Sequence, residues 1–252
     1  RLGDYRRRKI IAPVGDALEA GVFDAVALQA VQQGGEAWAV PLSRKSVALY
    51  VNTALAGEVP PTLEGILALA PTLPPGVYPY AYEVKKAYSH APILHAFGGR
   101  MLDDDDGFGF VGPEAEASLR YVKSLVDAGL VPGNADGGLV TNLFKSGQAA
   151  FVASGPWLAA DLGEAVPYRV QPLPVLEATG KPLRPFLTVE GVMLSPQGAE
   201  RPEVQAAYPP KSPLPPRRRS PLVSMRNSSA SCACSLAAGA RRQRRSSSSA
   251  VS

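Results

Sequence analysis

The 252 residues are 46% hydrophobic, enough to bury a real core, and the formal charge of +4 at first suggests an anionic partner. The position of the charges removes that reading. Nine of the 26 basic residues (Lys211, Arg217, Arg218, Arg219, Arg226, Arg241, Arg242, Arg244 and Arg245) follow Tyr208, where no Asp or Glu occurs, so the first 208 residues hold 17 basic against 22 acidic groups and the body is acidic.

In chain order, DALEAGVFDAVALQAV predicts a helix over 16–31, and Gly34-Gly35 then turns the chain into AWAVPL, a strand expected to end at Pro41. SVALYVN (46–52) is a second apolar, β-branched stretch, and after a Pro-rich connection Thr62 is placed to cap the helix TLEGILALA. GVYPYAYEV (76–84) looks extended, and HAPILHAFGG (90–99) suits a short helix closed by glycines.

The acidic run Asp103 to Asp106 before GFGFV suits a solvated turn. In the helix opened by Pro113, Glu114 and Glu116 lie toward the positive end, and Leu119, Val122 and Val126 are expected on one face. LVTNLFKSG (139–147) predicts another helix and AAFVAS (149–154) a buried strand. Gly155-Pro156 then turns into a helix from Trp157 to Leu162, followed by the strand-like YRVQPLPVL and RPFLTVEGVMLS. Mixed elements with short connections predict an α/β protein without internal repeats.

No apolar run approaches the roughly 18 residues of a membrane-spanning helix. No signal-peptide pattern opens the chain, and the start at Arg1 leaves room for a leader or a larger upstream segment. Cys232 and Cys234 are too close for an ordinary structural disulfide and lack the other ligands of a zinc site. After Pro209 no aromatic residue and no apolar period remains, so residues 209–252 are expected to be a disordered basic tail. Three origins stand open for it: non-native sequence from a shifted reading frame, a bland extension, or a tail for nucleic acid or an anionic surface.

Enzyme chemistry finds no constellation. The four adjacent aspartates point in different directions and lack metal-loop spacing, His90 and His95 are five apart rather than four, and Ser154-Gly155 lacks the GxSxG elbow. No metal or cofactor is expected.

The segments AWAVPLSRKSVALYVNTAL, HAPILHAFGGRML, SLRYVKSLVDAGLV, LFKSGQAAFVASGPW and KPLRPFLTVEGVMLSP, in that order, resemble the extracellular solute-binding proteins of ABC importers, in particular the maltose-binding-protein-like sugar binders. The most specific piece is FxxGxAAFxxxGPW, carried by Phe144, Gly147, Ala149, Ala150, Phe151, Gly155, Pro156 and Trp157, and RLGDYRRRKIIAPV resembles the family's RxGxY segment.

The resemblance implies a two-lobed periplasmic-binding-protein fold (type II), present in part. Residues 1–42 would belong to the first lobe, 43–186 to the second and 187–208 to the crossing back, with the tail standing where closing helices belong. It implies a periplasmic or extracellular carbohydrate binder that delivers its ligand to a permease, with no enzymatic activity and no nucleic-acid partner. The rivals are a basic-tailed interaction protein and a remnant that binds nothing.

For the site, the resemblance implies that Trp157 stacks on a sugar ring, that Tyr88 is a cleft aromatic and that Arg1 reaches the ligand. Glu190 would accept hydroxyl hydrogen bonds at the crossing, with Arg44 a weaker candidate nearby. Lys45 and Lys86 align with positions that are acidic in the maltose binder. Two ammonium groups can only donate, and facing one cleft they would favour a ligand with an acidic group.

Overall fold

The structure, a computed structural model, describes residues 2–15, 18, 23–102 and 107–207. Arg1, the four aspartates, most of the first half of the predicted helix over 16–31, and the basic tail lie outside the described residues.

The chain enters through α1 (Leu2–Arg7) and a turn that brings Ala12 beside Leu194. Helix α2 (Ala25–Val31) begins where the Asp24 carboxylate accepts from the backbone N–H of Val26 at 3.0 Å and of Ala27 at 3.4 Å, two of the donors that a helix start leaves without an internal partner. Gly34 and Gly35, at φ 67° and 81°, form the tight turn between β1 (Gln32–Gln33) and β2 (Glu36–Ala37), a conformation that side chains resist. Beside it the Trp38 indole N–H donates to the Gln33 carbonyl at 3.2 Å, with the Arg6 guanidinium 5.3 Å from the ring centre.

Strand β3 (Val40–Lys45) runs through Pro41, where the sequence predicted an end. It pairs antiparallel with β10 (Thr188–Val192), and Pro41 stands opposite Gly191, where the register slips between Glu190 and Gly191. A residue without an N–H is tolerated at such a bulge in a two-stranded ribbon.

The central sheet has the order β5-β6-β4-β7, built from β4 (Ala48–Asn52), β5 (Tyr78–Ala81), β6 (Ala149–Ser154) and β7 (Tyr168–Gln171). β4 is antiparallel to β6 and β7, while β5 joins β6 in parallel. All five residues of β4 are buried because both faces of the sheet are covered. Leu49 and Val51 pack with Leu63 and Ile66 of α3 (Leu63–Leu67), Ile93 of α4 (Ala87–Ala96), and Val122 and Leu125 of α5 (Pro113–Asp127). Ala48 and Tyr50 pack with Val140, Leu143 and Phe144 of α6 (Gly137–Lys145) and with Leu158 and Leu162 of α7 (Pro156–Leu162). Each large apolar side chain buried in these layers contributes about 1.5 to 3 kcal/mol.

The hairpin of β8 (Val175–Leu176) and β9 (Lys181–Pro182) is tied to α3 through Glu64, whose carboxylate accepts from the Glu177 N–H at 2.8 Å. α8 (Pro196–Ala199) and α9 (Pro202–Ala207) end the described chain.

Helix α5 turns Val122 and, partly, Val126 inward as expected, but not Leu119. Ala115, Ser118, Val122 and Leu125 are buried, whereas Leu119 is 60% exposed. Its neighbour Ser118 lies inside instead and is satisfied there, its hydroxyl donating to the Ala115 carbonyl at 2.7 Å and lying 3.0 Å from His90 Nε2. A hydrogen-bonded hydroxyl can occupy a core position at little cost. Among the described residues no helix is long and apolar enough to cross a membrane.

Candidate functional site

At the C-terminal ends of the parallel strands β5 and β6, three segments border an open cavity of about 570 Å³, lined by Glu83, Lys86, Tyr88, Gly137, Gly138, Thr141, Asn142, Trp157 and Asp161. That size lies within the range of small-ligand sites.

The first wall comes from the turn between β6 and α7. Pro156 takes the first helical position, which needs no N–H, and sets Trp157 at the start of the helix. The indole folds back over Gly155, where an added Cβ would overlap ring carbons Cζ3 and Cη2, so a side chain there would displace the ring. The Gly155 carbonyl is fixed in turn by the Tyr50 hydroxyl, which donates to it at 2.8 Å. Burial pushes the Tyr50 phenol up to about 12, so it stays a donor at neutral pH. Trp157 remains 40% exposed, and Asp161, one turn on, shares its face.

The second wall is the start of α6. Asp136 caps this helix, accepting from the Leu139 N–H at 2.8 Å, and Gly137, Gly138, Thr141 and Asn142 follow along the cavity. The third wall is the connection from β5 to α4. The Glu83 side chain is only 14% exposed and accepts from Lys86 Nζ at 3.1 Å and Ser89 Oγ at 3.3 Å. The Tyr88 ring stacks on Phe186, with centres 5.8 Å apart, and its hydroxyl lies 3.3 Å from Thr188 Oγ1.

Thr188 belongs to β10, so Tyr88 connects the cavity to the ribbon. Ser43 and Lys45 on β3 lie opposite Glu190 and Thr188, and residues two apart share a face of the ribbon. On that face Lys45 is ion-paired with Glu190, which also accepts from Ser43 Oγ at 2.9 Å. The hydrogen bond from Lys45, and then that from Ser43, hold the Glu190 carboxyl below its ordinary range. Arg44 points to the other face, 2.9 Å from Asp24.

The structure therefore brings Lys86, Tyr88 and Trp157 into one cavity. Lys45 and Glu190 lie on the adjoining ribbon, Arg44 is engaged away from it, and Arg1 lies outside the described residues. The two lysines do not converge as free cations, because Lys45 is neutralised by Glu190 and Lys86 by Glu83. Sequence reasoning missed Glu83, Gly137, Gly138, Thr141, Asn142 and Asp161. Asp161 was within reach as the i+4 neighbour of Trp157, and Asp136-Gly137-Gly138 as a capped helix start.

His90 and His95 serve the packing. Burial lowers the His90 pKa, and His95 Nδ1 is 2.6 Å from the Arg184 carbonyl. Among the described residues no group of three or more His, Cys, Asp or Glu side chains could hold a metal ion.

A family model of bacterial extracellular solute-binding proteins matches residues 2–208. The chain belongs to that family. This solute-binding protein is 24% identical over 188 residues to a maltotriose-binding protein of Pyrococcus abyssi, a match covering 71% of the chain and 41% of the relative. Among solved structures it resembles a cyclo/maltodextrin-binding protein complexed with maltotetraose, at 28% identity and TM-score 0.69, over 82% of this chain and 59% of that one. It also resembles the maltotriose-binding protein of Thermus thermophilus with maltotriose bound, at 27% identity and TM-score 0.68, over 80% and 57%. The fold is the type II α/β architecture of these proteins, present in part: the chain spans 41% of the curated relative and 57 to 59% of the two structures.

Proposed function

We propose that this solute-binding protein holds a carbohydrate of the malto-oligosaccharide type in the cavity under Trp157 and delivers it, in the periplasm or outside the cell, to the permease of an ABC importer. The observation that carries the reading is the half-exposed indole on the cavity wall, propped open by Gly155 and surrounded by hydrogen-bonding side chains. Sugar rings have apolar C–H faces that pack on aromatic rings while their hydroxyls need polar partners, and this wall offers both.

In this reading residues 1–42 contribute to a first lobe, 43–186 form the second, and 187–208 cross back beside β3. Trp157 stacks on the sugar, the Tyr88 hydroxyl and Lys86 meet ligand hydroxyls, and Lys45 with Glu190 borders the site from the ribbon. Arg1 retains the ligand contact that the resemblance implies. The neutral relatives' ligands support a neutral sugar, and the paired lysines remove the argument for an acidic one. The role is binding without catalysis.

Calorimetry of the full chain against maltose, maltotriose and maltotetraose tests this. Binding is expected, with Trp157→Ala weakening it about tenfold or more, since loss of the contact area adds to an aromatic term of about 0.5 to 1.5 kcal/mol. Absence of heat with every neutral oligosaccharide, or equal affinity in the variant, would end the proposal.

A further inference from the structure

Glu83 is fixed in the cavity wall by contacts on two sides. Lys86 Nζ lies 3.1 Å from Oε1 and 3.0 Å from Oε2, and Ser89 Oγ donates to Oε2 at 3.3 Å. On its other side the carboxylate rests against Gly137, the first residue of the nine-residue helix α6, where an added Cβ would overlap Oε1. The positive end of that helix favours a negative group there. A carboxylate has about four acceptor directions, and its two side-chain partners leave capacity unused.

The charge balance of the wall points the same way. Its ionised groups are Glu83, Asp161 and Lys86, and the single ammonium is committed to Glu83 while itself 61% exposed. An anionic ligand would meet an excess of carboxylate with no unpaired cation among the lining residues. A ligand of neutral hydroxyls meets a fixed acceptor.

The geometry points to Glu83 as the specificity-determining residue of this cavity, with Gly137 its positioning residue. The Glu83 carboxylate accepts hydroxyl hydrogen bonds from neutral sugars and turns away acidic ones. Gly137 supplies the space that holds that carboxylate against the helix end. The inference rests on the sugar-binding reading above and adds which sugars are admitted and by what group.

The test is calorimetry of the full chain with maltotriose and with a trimer of galacturonic acid, on the native protein and on Glu83→Gln, Gly137→Ala and Trp157→Ala. The native chain is expected to favour maltotriose by tenfold or more. Glu83→Gln should weaken maltotriose about tenfold, the scale of one hydrogen bond to a charged group, and narrow the discrimination. Gly137→Ala keeps every charge and improves helix propensity, yet it should weaken maltotriose in the same direction by displacing the carboxylate. Thermal unfolding of each variant separates this from loss of fold, and if Gly137→Ala is unfolded the isosteric Glu83→Gln decides alone.

Native-like affinity and discrimination in a folded Glu83→Gln, while Trp157→Ala binds weakly, would overturn the role of Glu83 and leave the sugar reading standing. Tighter native binding of the acidic trimer would overturn the charge argument. Failure of the native chain to bind either sugar would remove the sugar reading itself, and the inference with it.

Discussion

Strands β4 and β10 both have antiparallel partners, yet all five residues of β4 are buried and none of β10 is. β4 has a strand on each edge and helices over both faces of its sheet. Among the described residues β10 has β3 alone as its partner strand, and along this ribbon Leu42 is 53% and Val192 40% exposed. Lateral pairing by itself does not make a core; coverage of both faces does. The consequence reaches the site, because two cavity walls spring from the covered sheet and the third, the start of α6, belongs to a helix packed on it, whereas the ribbon reaches the cavity through the contact between Thr188 and Tyr88.

The strongest challenge to this contrast is a pair of truncations. Phe151, fully buried in β6, should lose about 3 to 5 kcal/mol of stability on replacement by alanine, because a cavity remains where the ring was. Leu42→Ala should stay within about 0.5 kcal/mol. Urea unfolding reads both, and similar losses would mean that the ribbon is as well supported as the sheet.

A smaller effect is expected at Thr62, whose hydroxyl accepts from the Gly65 N–H at 3.1 Å and starts the helix that seats Leu63 and Ile66. Thr62→Ala should cost about 1 kcal/mol in the same measurement. No loss would show that packing alone holds this helix in place.

Acid should separate the two regions most finely. Burial lowers the His90 pKa behind the sheet. As pH falls below the ordinary histidine value of about 6.5, the unfolded chain takes up a proton that the folded one refuses. Stability therefore declines from that point and levels off below the lowered folded value, and His90→Gln should remove this decline. Glu190 on the ribbon has its pKa lowered by Lys45 and Ser43. Its contribution is present above the ordinary carboxylate value of about 4.3 and is lost as pH falls through the lowered folded one. Glu190→Gln should flatten only this more acidic part. Thermal midpoints across pH distinguish the two windows, and a single shared transition would contradict the assignment.

Much of the sheet was legible because its signals are local. AAFVAS is a continuous apolar run between Gly147 and Gly155, and it is β6 to the residue. Thr62 caps where its hydroxyl was expected to. Pro41 misled because its outcome depends on a distant partner, the bulge opposite Gly191, and at Leu119 the inward place goes to its neighbour Ser118, which meets His90 there.

The same division holds at the site. Trp157 could be singled out from an aromatic at a strand-to-helix turn, and the family motif pointed to the same place. Glu83 could not, since its importance comes from Gly137, far along the chain, and only folding brings the two together. Lys45 and Lys86 show the cost of reading charges singly, because an ammonium facing a cleft and one tied to a carboxylate look identical in sequence.

The chain's only two indoles sit in contrasting places, Trp38 beside the Arg6 guanidinium and Trp157 over Gly155 at the cavity. The molecule thus carries its own optical reporters, one for each region. With Trp38 replaced by phenylalanine, the remaining emission comes from the cavity wall alone, so occupancy can be followed by light without attaching a dye.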